Sequence, residues 1–290
     1  MSLSHPRFIE LDRGRFAYRE GGDPNGSPLV LLHGWPESSY CWNPVAARLR
    51  PGFRVIAPDL RGLGDSTRDG DIADYRKQAL AMDMLSLLDA LSIDAFLLLG
   101  HDWGGVVAQE IVIAVPERVR RLVIMNIHLI NNAAGNVEAV AAIRRKGARH
   151  QWYQHFQQQP GLPEAMIPGN ERAWLSAFLR CSDRSPFPQD ALEEYVRSYS
   201  LPDTPRAGAN YYRAMRADQQ RWESLAGHVY PMPGLYVHGN RDPVVIREFL
   251  NHAAECFQEL RVESVPAGHF LQEEAPDRVA EHLNRFLRAD

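Results

Sequence analysis

Residues 100–104 read Gly100-His101-Asp102-Trp103-Gly104 and lie between an apolar run and a helical pattern. A glycine two residues either side of a central side chain makes a sharp strand-to-helix bend that lifts that side chain above a sheet. Glycine is needed at both flanks because strand and helix approach too closely there for a Cβ. The central residue is normally serine; here it is Asp102, and the chain contains no Gly-x-Ser-x-Gly. That excludes a serine esterase. A carboxylate, with an ordinary pKa near 3.9, is already ionised at neutral pH and needs no base to become a nucleophile. It can displace oxygen or halide from a saturated carbon and leave an alkyl ester, which water can cleave. A serine ether could not be recycled in this way. Aspartate also caps helices, but a cap alone accounts for neither the two glycines nor the preceding apolar run.

Cleaving that ester requires an activated water. Asp242, in Gly-Asn-Arg-Asp-Pro-Val-Val, and His269, in Ala-Gly-His-Phe-Leu-Gln, follow in the chain order nucleophile, acid, histidine. Neutral imidazole can take a proton from water while a buried carboxylate holds its tautomer. Read singly, Asp242 is a turn residue before proline and His269 a loop histidine. Their expected coincidence at one sheet edge with Asp102 points to a catalytic triad. His269 is expected to serve only the cleavage of the ester. Cleavage also builds charge on a carbonyl oxygen, which backbone N–H groups must already face. Trp103, next after the nucleophile, is one expected donor. Trp35, in His33-Gly34-Trp35-Pro36, is the other, with a Trp35-Pro36 bond expected to be cis. His33 and His101 lie within these motifs and are read as orienting turns. His33, Pro36 and Phe270 are also expected beside the substrate.

These residues need a sheet to stand on. Apolar runs at 28–34, 53–59, 95–100, 121–126, 234–239 and 260–265 read as strands, and 7–12 with 15–20 as a hairpin about Arg13-Gly14. Helical periodicity covers 75–91, 104–115 and about 276–288. Strands alternating with helices predict an α/β fold with a mostly parallel sheet. Residues 128–225 carry no convincing strand, are rich in Arg, Gln, Trp and Tyr, and include the helical stretch 136–156. The expected organisation is a core of 1–127 and 226–290 with a helical cap, 128–225, over the ligand-binding edge.

Composition narrows the class further. The chain has 290 residues, net charge −4, 45% apolar and 23% charged residues, which is ordinary for a globular protein. The charge balance offers nothing to nucleic acid or an anionic membrane, and no apolar run approaches a membrane span. Three scattered cysteines, Cys41, Cys181 and Cys256, suit neither a disulfide framework nor a zinc site, so a reducing cytoplasm is expected. No metal cluster or phosphate-binding glycine loop is visible, so no cofactor is expected. Charge and pattern leave monomer and homodimer equally open.

The segments 33–42 (His-Gly-Trp-Pro-Glu-Ser-Ser-Tyr-Cys-Trp), 59–66 (Asp-Leu-Arg-Gly-Leu-Gly-Asp-Ser) and 100–105 (Gly-His-Asp-Trp-Gly-Gly) resemble the epoxide hydrolases of the α/β-hydrolase fold, over about residues 6–288. The resemblance implies an eight-stranded, mostly parallel sheet flanked by helices, and a small apolar epoxide with water as substrates. It also implies two cap tyrosines that protonate the opened oxygen. One lies in Asn210-Tyr211-Tyr212-Arg213-Ala214-Met215, where the pattern selects Tyr212, with Tyr211 next. The other is Tyr153 before Gln154, or Trp152 if the register slips by one. The related dehalogenases share the Asp nucleophile and remain an alternative. Haloalkane dehalogenases usually have Asn at the place of Trp35. Fluoroacetate dehalogenases have Arg at the places of Trp103 and Val106. A non-catalytic small-molecule receptor on the same fold is the third reading.

Overall fold

Residues whose side chains are apolar on both faces form the centre of the sheet. In the computed structural model, which describes residues 1–147 and 149–287, strands β3 (Ser27–Leu32), β4 (Phe53–Pro58), β5 (Phe96–His101), β6 (Val119–Met125) and β7 (Gly234–Gly239) are buried along most or all of their length. Such continuous burial on both faces is what helix-covered parallel strands require. The edges are β1 (Arg7–Leu11), hairpin partner of β2 (Gly14–Gly22), and β8 (Leu260–Val265); both edge strands are largely exposed and carry charges that discourage further pairing. The order is β1-β2-β4-β3-β5-β6-β7-β8, antiparallel where β2 meets β1 and β4 and parallel elsewhere.

That order decides where chemistry can occur. The chain leaves β3 toward β4 on one side and returns to place β5 on the other, so a crevice opens between the C-terminal ends of β3 and β5. Trp35 follows β3 and Asp102 follows β5. Helix Lys77–Ala90 packs beside helix Trp103–Ala114, and helix Pro276–Phe286 lays Val279, Ala280, Leu283 and Phe286 inward along one stripe.

Two boundaries differ from the sequence reading. The expected helix 75–91 starts at Lys77, because Asp71 caps a separate turn, Ile72–Tyr75, and Arg76 is extended. The stretch 136–156 is not one helix. Helix Ala133–Arg145 runs out at Gly147, whose φ of 85° only glycine adopts cheaply, and a new helix, Trp152–Gln158, begins beyond it.

Between β6 and β7 the described residues form helices and no strand of the sheet. Polar groups fasten this segment to the sheet-bearing part. Lys77, fully buried, meets Asp218 at 3.0 Å. Glu110 accepts from Arg221 and from Trp222 Nε1 at 3.0 and 2.9 Å. The Tyr195 hydroxyl donates to Glu273 at 2.5 Å. Burial and the nearby Glu37 charge push the Glu273 carboxyl up to about 8.

The bend after β5 depends on Gly104, where a Cβ would run into the backbone oxygens of Leu32 and His33. These atoms belong to β3 and its loop and cannot yield as a flexible side chain would. Gly104→Ala should therefore cost about 1–3 kcal/mol of overpacking. The melting temperature, followed by circular dichroism, is expected to fall by about 2–5 °C.

Candidate active site

Asp102 sits at the turn with φ 49° and ψ −130°, a left-handed conformation that strains a non-glycine residue by about 1–3 kcal/mol. Backbone bonds on both sides maintain it: Asp102 N–H donates to Met125 O at 3.1 Å, and Gly105 N–H to Asp102 O at 2.8 Å. The carboxylate, 9% exposed, meets three groups. The Trp35 amide donates to Oδ1 at 2.9 Å. The Trp103 amide also donates to it. His269 Nε2 lies 3.5 Å from Oδ2. The Trp35-Pro36 peptide is cis.

The imidazole is oriented from behind. His269 Nδ1 is 2.7 Å from Asp242 Oδ2, and Asp242 Oδ1 is held by the amides of Val244 and Val245 at 2.7 and 3.1 Å. Burial disfavours a charged His269, but the Asp242 charge and the bonds to both carboxylates overcome it, so its pKa is well above the ordinary imidazole value. Burial likewise disfavours ionised Asp102, and His269 reverses that, holding the carboxylate below its ordinary range. The pair therefore rests as carboxylate and imidazolium.

Two residues position these loops: Asn126, which sequence reasoning did not single out, and His101, which it read only as orienting a turn. Asn126, directly after β6 with φ 42°, donates to the carbonyls of Gly268 and His269, each at 2.9 Å, and accepts from Gly239 N–H at 2.8 Å. It thus ties the Asp242 loop to the His269 loop. His101 Nε2 lies 2.8 Å from the His269 carbonyl, with Nδ1 facing Gln272 and Glu37. A polar residue directly after an apolar run, as in Arg-Leu-Val-Ile-Met-Asn, was the available signal for Asn126.

Asp102 and His269 open on a cavity of about 410 Å³, within the range of small-molecule sites. Tyr153 and Tyr212, 9% and 2% exposed, line its buried end. The Tyr153 ring lies parallel to the Trp35 indole, centroids 5.6 Å apart and planes at 4°. Tyr212 meets Trp35, Trp103 and Tyr153 edge-on at 5.5–5.7 Å. Burial first and the Asp102 charge among the further causes push both phenols well above their ordinary pKa, so both stay protonated. Trp35 Nε1 donates to the Tyr199 hydroxyl at 3.1 Å, and Trp103 bonds to Tyr212 through its side chain. Both indole N–H groups are therefore spent on tyrosine oxygens.

Of the remaining expected substrate neighbours, Phe270 lines the cavity and Trp152 stands at its exposed end, 51% exposed and stacked on Phe178. Three expectations are corrected. His33 is fully buried beneath the turn, with Nε2 accepting from Leu60 N–H at 3.0 Å and Nδ1 near Gly34 O. Pro36 is buried and faces no part of the cavity. Tyr211 points the other way, its hydroxyl donating to Arg61 O at 2.7 Å. No group of His, Cys, Asp and Glu among the described residues could hold a metal ion, and no described helix is long and apolar enough to cross a membrane.

Residues 27–276 match the family model described as the alpha/beta hydrolase fold. The chain is 33% identical to a soluble epoxide hydrolase of a Corynebacterium species over 91% of each chain. It is 28% identical to epoxide hydrolase A of Mycobacterium tuberculosis, over 99% of this chain and 98% of that one. Among solved structures it is similar to epoxide hydrolase A from Mycobacterium thermoresistibile, with a TM-score of 0.85, 26% identity, and 100% and 99% of the two chains covered.

Proposed function

The chain belongs to the α/β-hydrolase-fold epoxide hydrolase family, and on that premise we propose that it opens an epoxide to a vicinal diol through an ester on Asp102. Oδ1 is already engaged by the Trp35 amide, which leaves Oδ2 to attack. An Oδ2–carbon bond forms, the carbon–oxygen bond of the ring breaks, and its electron pair goes to the departing oxygen. Tyr153 and Tyr212 hydrogen-bond to that oxygen and one of them protonates it; the phenolate recovers its proton from solvent. Oδ1 is now the ester carbonyl oxygen, still facing the Trp35 amide, with the Trp103 amide bonded to the same carboxyl group.

Ester formation also prepares the second step. It removes the Asp102 charge, one of the causes that raise the His269 pKa. With that charge gone the imidazolium releases its proton to solvent and becomes the neutral base the second step requires. His269 then deprotonates water, which attacks the ester carbonyl carbon. The oxyanion on Oδ1 collapses and the Cγ–Oδ2 bond breaks; Oδ2 leaves in the diol and takes the proton from His269, and the Asp102 carboxylic acid so formed passes its proton to His269, restoring the carboxylate and the imidazolium. Residues 128–225 serve in this scheme as the cap over a core of 1–127 and 226–290. The cytoplasm is the proposed compartment, in keeping with three free cysteines.

The observation that carries the reading is a pair of buried, protonated phenols sharing one cavity end with the Asp102 carboxylate. A departing alkoxide needs a proton donor, whereas departing halide needs N–H groups or a cation, and both indole N–H groups here are already engaged. Incubation of the protein with styrene oxide and, separately, with 1-bromobutane tests this. Diol from the epoxide without bromide release is expected. Bromide release without diol would favour a dehalogenase, and binding of both without turnover a receptor.

A further inference from the structure

Neither chemical step described above uses Lys77, yet it sits where a lysine is costly. Its side chain is fully buried, which lysine almost never is without a partner. It also opens helix Lys77–Ala90, at the end whose dipole repels a cation. Burial pulls its ammonium below the ordinary pKa; the Asp218 charge opposes this most, and the Asp102 charge adds to the opposition.

Three groups meet Lys77. Asp218 Oδ2 lies 3.0 Å from Nζ, and Asp218 Oδ1 accepts from the Lys77 N–H at 3.2 Å. Nζ donates to the Tyr211 carbonyl, which belongs to the last turn of helix Thr204–Arg213, where carbonyls run out of helical partners. Nζ also stands over the Trp103 indole, 4.1 Å from the ring centroid, within reach of a cation–π attraction. The last two contacts both lead to Tyr212. Successive side chains on a helix diverge by about 100°. With the Tyr211 carbonyl on Lys77 and the Tyr211 hydroxyl on Arg61 O at 2.7 Å, the helix is fixed in the rotation that turns Tyr212 into the cavity. Trp103 meets Tyr212 edge-on at 5.6 Å and bonds to it through its side chain, which draws the phenol pKa down against the effect of burial. A cation over the indole face polarises the ring and strengthens N–H donation at its edge. That donation steadies the phenolate left when Tyr212 gives up its proton.

We propose that Lys77, held by Asp218, is a positioning residue for epoxide opening: it fixes the Tyr211 carbonyl and the Trp103 indole and so aims the Tyr212 hydroxyl at the departing oxygen. This rests on the epoxide-opening reading. Lys77 touches no reacting atom, and the bonds that hold His269 and Asp242 do not involve it. Its effect therefore falls on ester formation and not on ester cleavage.

The test uses Lys77→Met/Asp218→Asn, which removes both charges together, because losing one would strand the other in the interior. Asparagine keeps an acceptor for the N–H of residue 77. With styrene oxide, rapid-quench mass spectra give the rate of adduct formation, and the decay of isolated adduct gives the rate of cleavage. Adduct formation is expected to slow about ten-fold and adduct decay to stay within about two-fold of wild type. In a Tyr212→Phe background the same two substitutions should slow formation by less than about two-fold, because the hydroxyl they misplace is already gone. A loosened fold would slow both steps alike, or slow formation equally with and without the Tyr212 hydroxyl; either result overturns the proposal, as does an unchanged rate of formation. If that protein does not fold, Lys77→Gln is measured in the same way, since there Asp218 keeps Arg76 at 3.8 Å as counter-charge. Failure of both to fold assigns the pair to stability alone and overturns the proposal. Wild-type protein that forms neither adduct nor diol overturns the epoxide-opening reading itself, and the proposal with it.

Discussion

Replacing His269 by glutamine is expected to stop turnover and leave Asp102 carrying the substrate. The imidazole is the group placed to deprotonate water, 3.5 Å from Asp102 Oδ2 and 2.7 Å from Asp242, whereas attack on the epoxide needs only the ionised carboxylate and a proton donor. The two half-reactions therefore separate. Steady-state kcat should fall by about 10³ or more, the scale of a general base. Intact-mass spectrometry should show one equivalent of the substrate mass, and peptide mapping should place it at Asp102. Asp102→Asn should show no adduct, because an amide is not a nucleophile under these conditions. The same logic sets a sign for pH in the wild type. Asp102 is held below its ordinary range, so ester formation survives mild acid. Ester hydrolysis requires neutral His269 and fails as pH falls through the imidazole pKa of the ester form. Rapid-quench mass spectra should then show more adduct at acidic than at neutral pH. A His269→Gln protein that consumes epoxide with no adduct at any time would falsify the two-step scheme.

Replacing both Tyr153 and Tyr212 by phenylalanine should slow ester formation by about 10³, since the ring oxygen would leave as an unprotonated alkoxide. Either single variant should lose less, about 10–100-fold, because the second hydroxyl remains. Phenylalanine keeps the stacking of Tyr153 on Trp35 and the edge contacts of Tyr212, so the fold should survive and circular dichroism should be unchanged. The decisive measurement is the pre-steady-state rate of adduct formation against the rate at which isolated adduct disappears. Only the first should fall. Both hydroxyls are held protonated far above their ordinary range by burial and by Asp102, so wild-type ester formation should persist into alkaline solution. Diol formation within about three-fold of wild type in the double variant would remove the tyrosines from the mechanism and reopen the dehalogenase reading.

Much of this arrangement was legible before the coordinates. Gly-x-Asp-x-Gly between an apolar run and a helical run marks a bend whichever residues surround it, because close backbone approach at Gly104 tolerates no side chain. The strands were legible for a similar reason: residues buried on both faces must be apolar throughout. Asp242 and His269 followed from chain order and from their place at strand ends. The segment between β6 and β7 was far less legible. Trp152 and Tyr153 are adjacent on one helix, as are Tyr211 and Tyr212, and neighbours on a helix point about 100° apart. A shift of one residue therefore exchanges the cavity-facing Tyr212 ring for one turned to Arg61, and the buried Tyr153 for Trp152 at the exposed end of the cavity. Helix Thr204–Arg213 is buried on nearly all sides, so periodicity could not say which tyrosine faces Asp102.

The amino-acid sequence by itself determined the bend, the aspartate at its tip, the strands that carry the loops and the family to which the chain belongs. These depend on local sterics and on burial, which are written residue by residue. Only the tertiary structure decided that Tyr153 and Tyr212 turn inward, that Tyr211 turns to Arg61, and that Asn126 ties two loops together. Those outcomes depend on how the segment between β6 and β7 docks over the crevice between β3 and β5, and no local pattern encodes the rotation of one helix against another.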